Sequence, residues 1–370
     1  MIKYPIEAVF VTEGVPEFTF VQPPNYNEIL VDFRRPGKPV VIEGQSGTGK
    51  TCAAKKILEQ VSATHAIQYL TARKTIDVER IVALAKQPTQ GTFILDDFHR
   101  LSIDLRRNFA DMAKVAAEEG ESTLLPKLIM IGINQVGSSL IQLAPDIAKR
   151  CGIHRIEPGS KATITRLIER GCGLLNIEQL DVDMVFSESK GDYWLTQNIC
   201  QSACTISGIL ETAETRITVP IEIESLRKSV VERLSAGYYP AIKEFCRGNR
   251  FRPGNDPYLR LLKAVGENGD SSVDLNMLAN ALPDVRGSIN NIKDHRLPIL
   301  LESKPLCAQY FYYDSETKFF AIEDPALFYF IRHADWTKVR HDCGFRKTEA
   351  TVEYDFALSF AGENRELARC

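Results

Sequence analysis

Residues 41–60 read VIEGQSGTGKTCAAKKILEQ, and no other stretch constrains the fold so tightly. Gly44, Gln45, Ser46, Gly47, Thr48, Gly49, Lys50 and Thr51 fit G-x-x-x-x-G-K-[ST] at every fixed position. An apolar strand end precedes the loop and an amphipathic helix pattern (Ala54, Ile57, Leu58, Val61) follows it, which is the context the motif requires. The glycines let the backbone wrap with its N–H groups pointing inward, and the helix start adds positive partial charge. A loop so built is suited to a polyphosphate. Gly44, Gly47, Thr48 and Gly49 supply the cradle, Lys50 the reach to the outer phosphates, and Thr51 a hydroxyl for Mg²⁺.

A triphosphate is split only where an acid holds the metal shell and another group orients water. FILDD, residues 93–97, offers both: three apolar residues of a buried strand end in paired carboxylates. Asp96 is the expected Mg²⁺ ligand beside Thr51, and Asp97 the residue expected to polarise the attacking water.

Around these motifs strands and helices alternate from 38 to 158. Strands are predicted in KPVVIEG, HAIQYLTA, GTFILDDF, KLIMIGIN and GIHRIEP, and helices near 50–63, 76–87, 102–119 and 138–150. Unbroken apolar runs predict strands buried on both faces, hence a parallel sheet covered by helices in an α/β domain. Before it, EFTFVQP reads as a strand and NYNEILVDFRRPG as a short helix ending at glycine.

From 159 the pattern turns helical through KATITRLIERGCGLL, LDVDMVFSES and DYWLTQNICQSACTISGIL, and residues 216–248 read as mainly helical. DPYLRLLKAVGEN, SVDLNMLANAL and DVRGSINNIKDHR read as three helices, followed by strands in LPILLES and AQYFYYDSETKFFAIED around a turn at 314–317. Helix, helix, helix, hairpin is the order of a winged helix. Arg286, Lys293, His295 and Arg296 lie in or beside its candidate recognition helix, but Asp284 and Asp294 share it, so protein contact is favoured over DNA contact. The expected division is 1–158 core, 159–215 lid, 216–335 connector and winged helix, 336–352 linker and 353–370 a final fragment.

At 370 residues the chain has room for two or three domains. A net charge of −3 advertises no global basic field for nucleic acid. Nine scattered cysteines without a CxxC pair suggest a reducing compartment. No apolar run reaches the ~18 residues of a membrane span, so a cytoplasmic location without membrane contact is expected.

On these motifs the chain resembles the AAA+ ATPases and their signalling relatives, the STAND NTPases. The resemblance implies ATP/ADP with Mg²⁺ as cofactors. In KLIMIGIN it makes Asn134 the polar tip that reads the γ-phosphate. In PDIAKRCGIHRIEPGS it makes Arg150 an arginine finger reaching a neighbouring subunit, with Arg155 as the backup, and so implies a nucleotide-dependent homo-oligomer. In FVQPPNYNEIL it makes Tyr26 a stacking residue for adenine. The family lid carries G-D/S-x-R, whereas Gly191-Asp192-Tyr193-Trp194 places a tryptophan at the arginine's position. That departure implies slow turnover, with nucleotide state acting as a signal.

YDFALSFAGENRELA, close to the end of the chain, is similar to the start of a TIR domain: a strand, then the loop with Ser359, Phe360, Ala361, Gly362, Glu363 and Arg365. One strand is not stable alone, so this segment reads as the opening of a longer domain. The implied whole is an α/β P-loop ATPase core with a helical lid, a winged helix and a truncated TIR domain. It would hydrolyse ATP slowly and self-associate so that TIR domains cleave NAD⁺, in antiphage defence released by an infection trigger. The alternative is a DNA-loading AAA+ ATPase of origin-recognition or transposition-helper type. A third is a scaffold that binds ADP and scarcely turns over.

Overall fold

The computed structural model describes residues 2–61, 67–120, 123–133 and 149–346. Five parallel strands, β1 (Val40–Glu43), β2 (Ile67–Thr71), β3 (Thr92–Asp96), β4 (Lys127–Gly132) and β5 (Gly152–Arg155), form one sheet in the order β2-β3-β4-β1-β5. Alternate residues face opposite ways along a strand, and both faces are used. Val40, Ile42, Ile94, Ile129 and Ile131 pack with Ala53, Ala54 and Ile57 of α3 (Lys50–Val61) and with Ile29 and Phe33 of α2 (Tyr26–Arg34). Val41, Phe93, Leu95, Leu128 and Met130 pack with Ile81 of α4 (Thr75–Lys86) and Phe109 of α5 (Ile103–Glu119). This two-sided burial is what the continuous apolar runs predict. It also brings the carboxyl ends of β1, β4 and β3 side by side, the edge where open parallel sheets bind ligands.

A second apolar cluster belongs to α6 (Lys161–Leu175), α7 (Val182–Ser189) and α8 (Tyr193–Ile206). The chain's first residues join it rather than the sheet. Ile6 and Val9 of the short helix α1 (Ile6–Val9), and Phe10 after it, are buried there. A Cβ on Gly171 would collide with the Phe10 ring, so the glycine is what lets that ring lie against α6. The expected division counts these first residues in 1–158; their apolar side chains are covered by the helices of this cluster.

The third cluster gathers α9 (Ile223–Arg247), α10 (Pro257–Asn268), β6 (Ser272–Asp274), α11 (Leu275–Ala281), α12 (Pro283–Lys293), α13 (Arg296–Ser303), α14 (Pro305–Tyr310), β7 (Phe311–Asp314), β8 (Phe319–Ile322), α15 (Pro325–His333) and α16 (Trp336–Asp342). Its antiparallel sheet runs β6-β8-β7. The three helices and hairpin of a winged helix are present, with a third strand, β6, at the start of SVDLNMLANAL.

Three readings of the sequence are overturned here. LPILLES is helical: Leu297 and Leu300 are buried at i, i+3, and Pro298 sits in the first turn, where its missing N–H costs nothing. EFTFVQP forms no strand; the Phe20 carbonyl accepts from the Arg170 side chain at 2.6 Å, and the Thr19 hydroxyl donates to the Val9 carbonyl at 2.8 Å. The expected linker from 336 is instead α16 and a turn, because Val339, Cys343 and Phe345 are buried in the third cluster, with Cys343 near the Lys243 carbonyl of α9 and the Phe345 ring 5.1 Å from Phe251. Residues 347–370, including the TIR-like segment, lie outside the described residues.

Candidate functional site

A cavity of about 380 Å³ opens at the carboxyl edge of the sheet between the Gly-rich loop and the lid. Ser46 to Cys52 line one wall. Gly44 has φ +155° and Gly47 +78°, and a Cβ at either would collide, with the Ile156 carbonyl and the Asp192 carboxylate respectively. The two glycines are therefore required by the loop's path. Lys50 is folded back on the loop, its Nζ donating to the carbonyls of Gln45 at 2.6 Å and Gly44 at 3.1 Å. Burial pushes its pKa down to about 8, against the opposing pull of Asp96, Asp97 and Asp192.

Across the loop, β3 delivers Asp96 and Asp97. The Thr51 hydroxyl donates to Asp96 Oδ2 at 2.9 Å, so the two residues expected around Mg²⁺ already meet. A hydroxyl and a carboxylate oxygen are hard donors of the kind Mg²⁺ takes, and the pair fits that ion. The Tyr69 hydroxyl also donates to Asp96. Asp97 adopts a left-handed backbone, φ +56°. Its carboxylate accepts from Thr71 Oγ1 and Arg73 Nε, both at 2.9 Å. Burial would raise its pKa, but Arg73 wins and the group is held below the ordinary range.

The lid closes the other side with Leu167, Tyr193, Trp194 and Gln197, none of them basic. Trp194 donates its indole N–H to the Thr12 carbonyl at 2.7 Å. Tyr193 N–H donates to the Gly47 carbonyl at 3.2 Å, tying the lid to the loop. Asp192 caps α8 through Leu195 N–H at 2.7 Å, and burial pushes its carboxyl up to about 7. Residues 11–23 form the apolar end of the cavity, with Val11, Pro16, Phe20 and Val21.

Tyr26 does not line this cavity. It is buried behind it with Ile29 and Ile57, its ring edge-on to Phe20 at 6.1 Å and its hydroxyl accepting from Gln60 at 3.1 Å. Its place at the start of α2 turns it to the core, and Phe20 takes the cavity wall. Asn134 lies outside the described residues; β4 brings Gly132 and Ile133 to the wall just before it. Arg150 pairs with Glu118 at 3.1 Å and does not line the cavity of its own chain. Arg155 pairs with Glu157 at 2.7 Å.

One participant comes from far along the chain. Glu323, immediately after β8, is 1% exposed at its side chain and meets His99, Arg100 and, at 3.7 Å, Arg73. Its carbonyl accepts from the Ser46 hydroxyl in the phosphate loop. Arg100 also reaches the carbonyls of Ala308 and Gln309 at 3.2 Å. Ile133 N–H points at His99 Nδ1 at 3.5 Å, which leaves Nε2 to donate to Glu323. Burial pushes His99 down to about 3, so the imidazole is neutral. Arg73 thus bridges Asp97 and Glu323. No local pattern could signal Glu323; only the packing of the winged-helix unit on the core puts it there.

No protein-family model matches the chain, and no curated protein matches it. Among solved structures it is similar to Cdc6p from Pyrobaculum aerophilum, at 15% identity and TM-score 0.44 over 91% of this chain and 98% of that one. It is similar to the Aeropyrum pernix ORC1 protein in complex with DNA, at 13% and 0.45 over 91% and 98%. It is also similar to the Thermotoga maritima RuvB Holliday junction branch migration motor, at 16% and 0.42 over 84% and 97%. Likenesses this distant carry no assignment of function. The sheet, the loop and the acids at its edge make the core a P-loop NTPase fold on their own geometry.

Proposed function

We propose that the chain binds ATP in the loop–lid cavity, hydrolyses it slowly, and uses the nucleotide state to reposition its winged-helix unit. The observation that carries this reading is the meeting of three parts on one cavity: the phosphate loop, the acids of β3, and Glu323. Mg²⁺, held by Thr51 and Asp96, would supply charge neutralisation to the phosphates. Lys50 leaves the loop carbonyls to meet the outer phosphates. Asp97 accepts a proton from water once Arg73 is drawn off it. While Arg73 is shared between Asp97 and Glu323, that base is neutralised, which would keep turnover slow.

The output favoured by the described residues is a DNA-loading one, since they include the winged helix and no other effector. It predicts affinity for duplex DNA that falls steeply with salt and ATP hydrolysis stimulated by DNA. ATP hydrolysis by the whole chain, with and without duplex DNA, tests both layers. Asp97→Asn is expected to lower hydrolysis by about 10²–10⁴-fold, the range of a general base. Hydrolysis unchanged by Asp97→Asn sinks the assignment of that residue, and hydrolysis indifferent to DNA sinks the loading role. The NAD⁺-consuming reading rests on residues 354–368 alone, and measured NAD⁺ turnover would favour it. In either reading Arg150 acts across a subunit boundary, so light-scattering mass in ATP and Mg²⁺ should fall in Arg150→Ala.

A further inference from the structure

The winged-helix unit holds a cavity of about 310 Å³ that shares no lining residue with the nucleotide site. That volume is within the range of small-molecule sites, about 300–1,000 Å³. Arg250, Arg252 and Arg296 line it, all exposed, and no acidic residue does. None of the three side chains makes an ion pair or hydrogen bond with any described residue. Their neighbours are committed: Arg260 pairs with Asp256 at 2.9 Å, Arg340 pairs with the same carboxylate, and Arg247 lies on the Phe251 ring at 4.6 Å.

Two helices also begin at this cavity. Pro257 and Tyr258 open α10, Arg296 opens α13, and both helices lack a side-chain cap. Asp256 stands at the capping position of α10 but is held by Arg260 and Arg340 instead. Tyr258 donates to the Arg296 carbonyl at 3.3 Å, which fixes the two starts against each other. The dipoles of the two helix starts favour an anion there, adding to the three guanidinium groups. Asn249 and Asn255 add amides, and Pro257, Tyr258 and Ile299 an apolar surface.

We propose that this cavity binds a phosphate-bearing small molecule of about mononucleotide size, distinct from the nucleotide of the loop–lid site. A polynucleotide would need a basic track rather than a pocket. Arg286 and Lys293 of the neighbouring α12 do not line it: Arg286 donates to the Ala279 carbonyl at 3.1 Å and Lys293 to Asn276 at 2.7 Å.

The test is calorimetric titration of the whole chain with uridine 5′-monophosphate and with pyrophosphate. It uses native protein, Lys50→Ala, Arg250→Gln/Arg296→Gln and, as a control for loss of a surface positive charge elsewhere, Arg216→Gln. The expected result is binding of at least one probe, alike in native, Lys50→Ala and Arg216→Gln chains, and weakened roughly tenfold or more in the double variant. Should the double variant melt before the native chain, Arg252→Gln alone carries the same expectation. Binding lost in Lys50→Ala would assign the probe to the phosphate loop and overturn the proposal. So would binding unchanged in the arginine variants, or none to the native chain at millimolar probe. An oligonucleotide that displaces the probe and binds more tightly would make the cavity part of a nucleic-acid surface, which also overturns it.

Discussion

Lys50 and Asp192 face each other across the phosphate loop with pKa values moved toward neutrality, about 8 for the amine and about 7 for the acid, both through burial. A bound triphosphate adds negative charge beside them, which raises both. At pH 8 the free chain therefore holds Lys50 part-deprotonated and Asp192 largely ionised, and the complex holds more protons than its parts. Binding of ATP at pH 8 should take up protons, seen as a binding enthalpy that varies with the ionisation enthalpy of the buffer. An enthalpy independent of buffer would show that neither group titrates there. Asp192→Asn keeps a capping side chain for α8 and removes the like charge, so at pH 8 it should tighten ATP a few-fold and reduce the proton uptake. Lys50→Ala removes a charge-assisted contact of about 1.5–3 kcal/mol and should weaken ATP about 10–100-fold. The type and spacing of Lys50, Thr51, Asp96 and Asp97 are legible in the sequence because a strand–loop–helix unit fixes them locally. The shift at Asp192 is not, because it arises from burial against a loop some 140 residues earlier.

At the scale of elements, periodicity succeeds where one chain segment buries its own face. The strands of the parallel sheet and the helices α6, α10 and α12 fall close to where their patterns place them. It fails where the partner decides. LPILLES has strand-like composition, yet the third cluster takes in two leucines a helical turn apart. Phe10 offers the sharpest test at this scale. Its ring is fully buried against α6 and α8, and the Gln201 amide holds its carbonyl at 2.8 Å. Phe10→Ala should cost about 3–5 kcal/mol of lid stability, read as a lower urea midpoint. Since residues 11–23 wall the apolar end of the cavity, ATP affinity should fall with it. A variant with native stability would mean the N-terminal segment only rests on the lid.

Across the whole molecule the question is what joins the winged-helix unit to the core. Glu323 with His99, Arg100 and Arg73 is the polar part of that joint, and Ile133 against Phe319 and Ala321 the apolar part. Removing one charge from a buried hydrogen-bonded pair leaves the other uncompensated. Glu323→Gln should therefore loosen the closed arrangement, speeding release of a fluorescent ADP analogue by roughly tenfold. Release unchanged by Glu323→Gln would mean the joint does not gate the nucleotide.

The amino-acid order by itself determined the phosphate loop, the acid pair, the parallel α/β layer and the helix–helix–helix–hairpin unit, because each depends on residues close in sequence. Tertiary structure decided the rest. It turned Tyr26 into the core and Phe20 into the cavity. It moved the first residues onto the lid and made a packed helix of the expected linker. It set Glu323 beside Asp97 and left three arginines around two helix starts with no ion pair among the described residues. Those outcomes depend on which surfaces meet, and burial and charge compensation are settled only when they do.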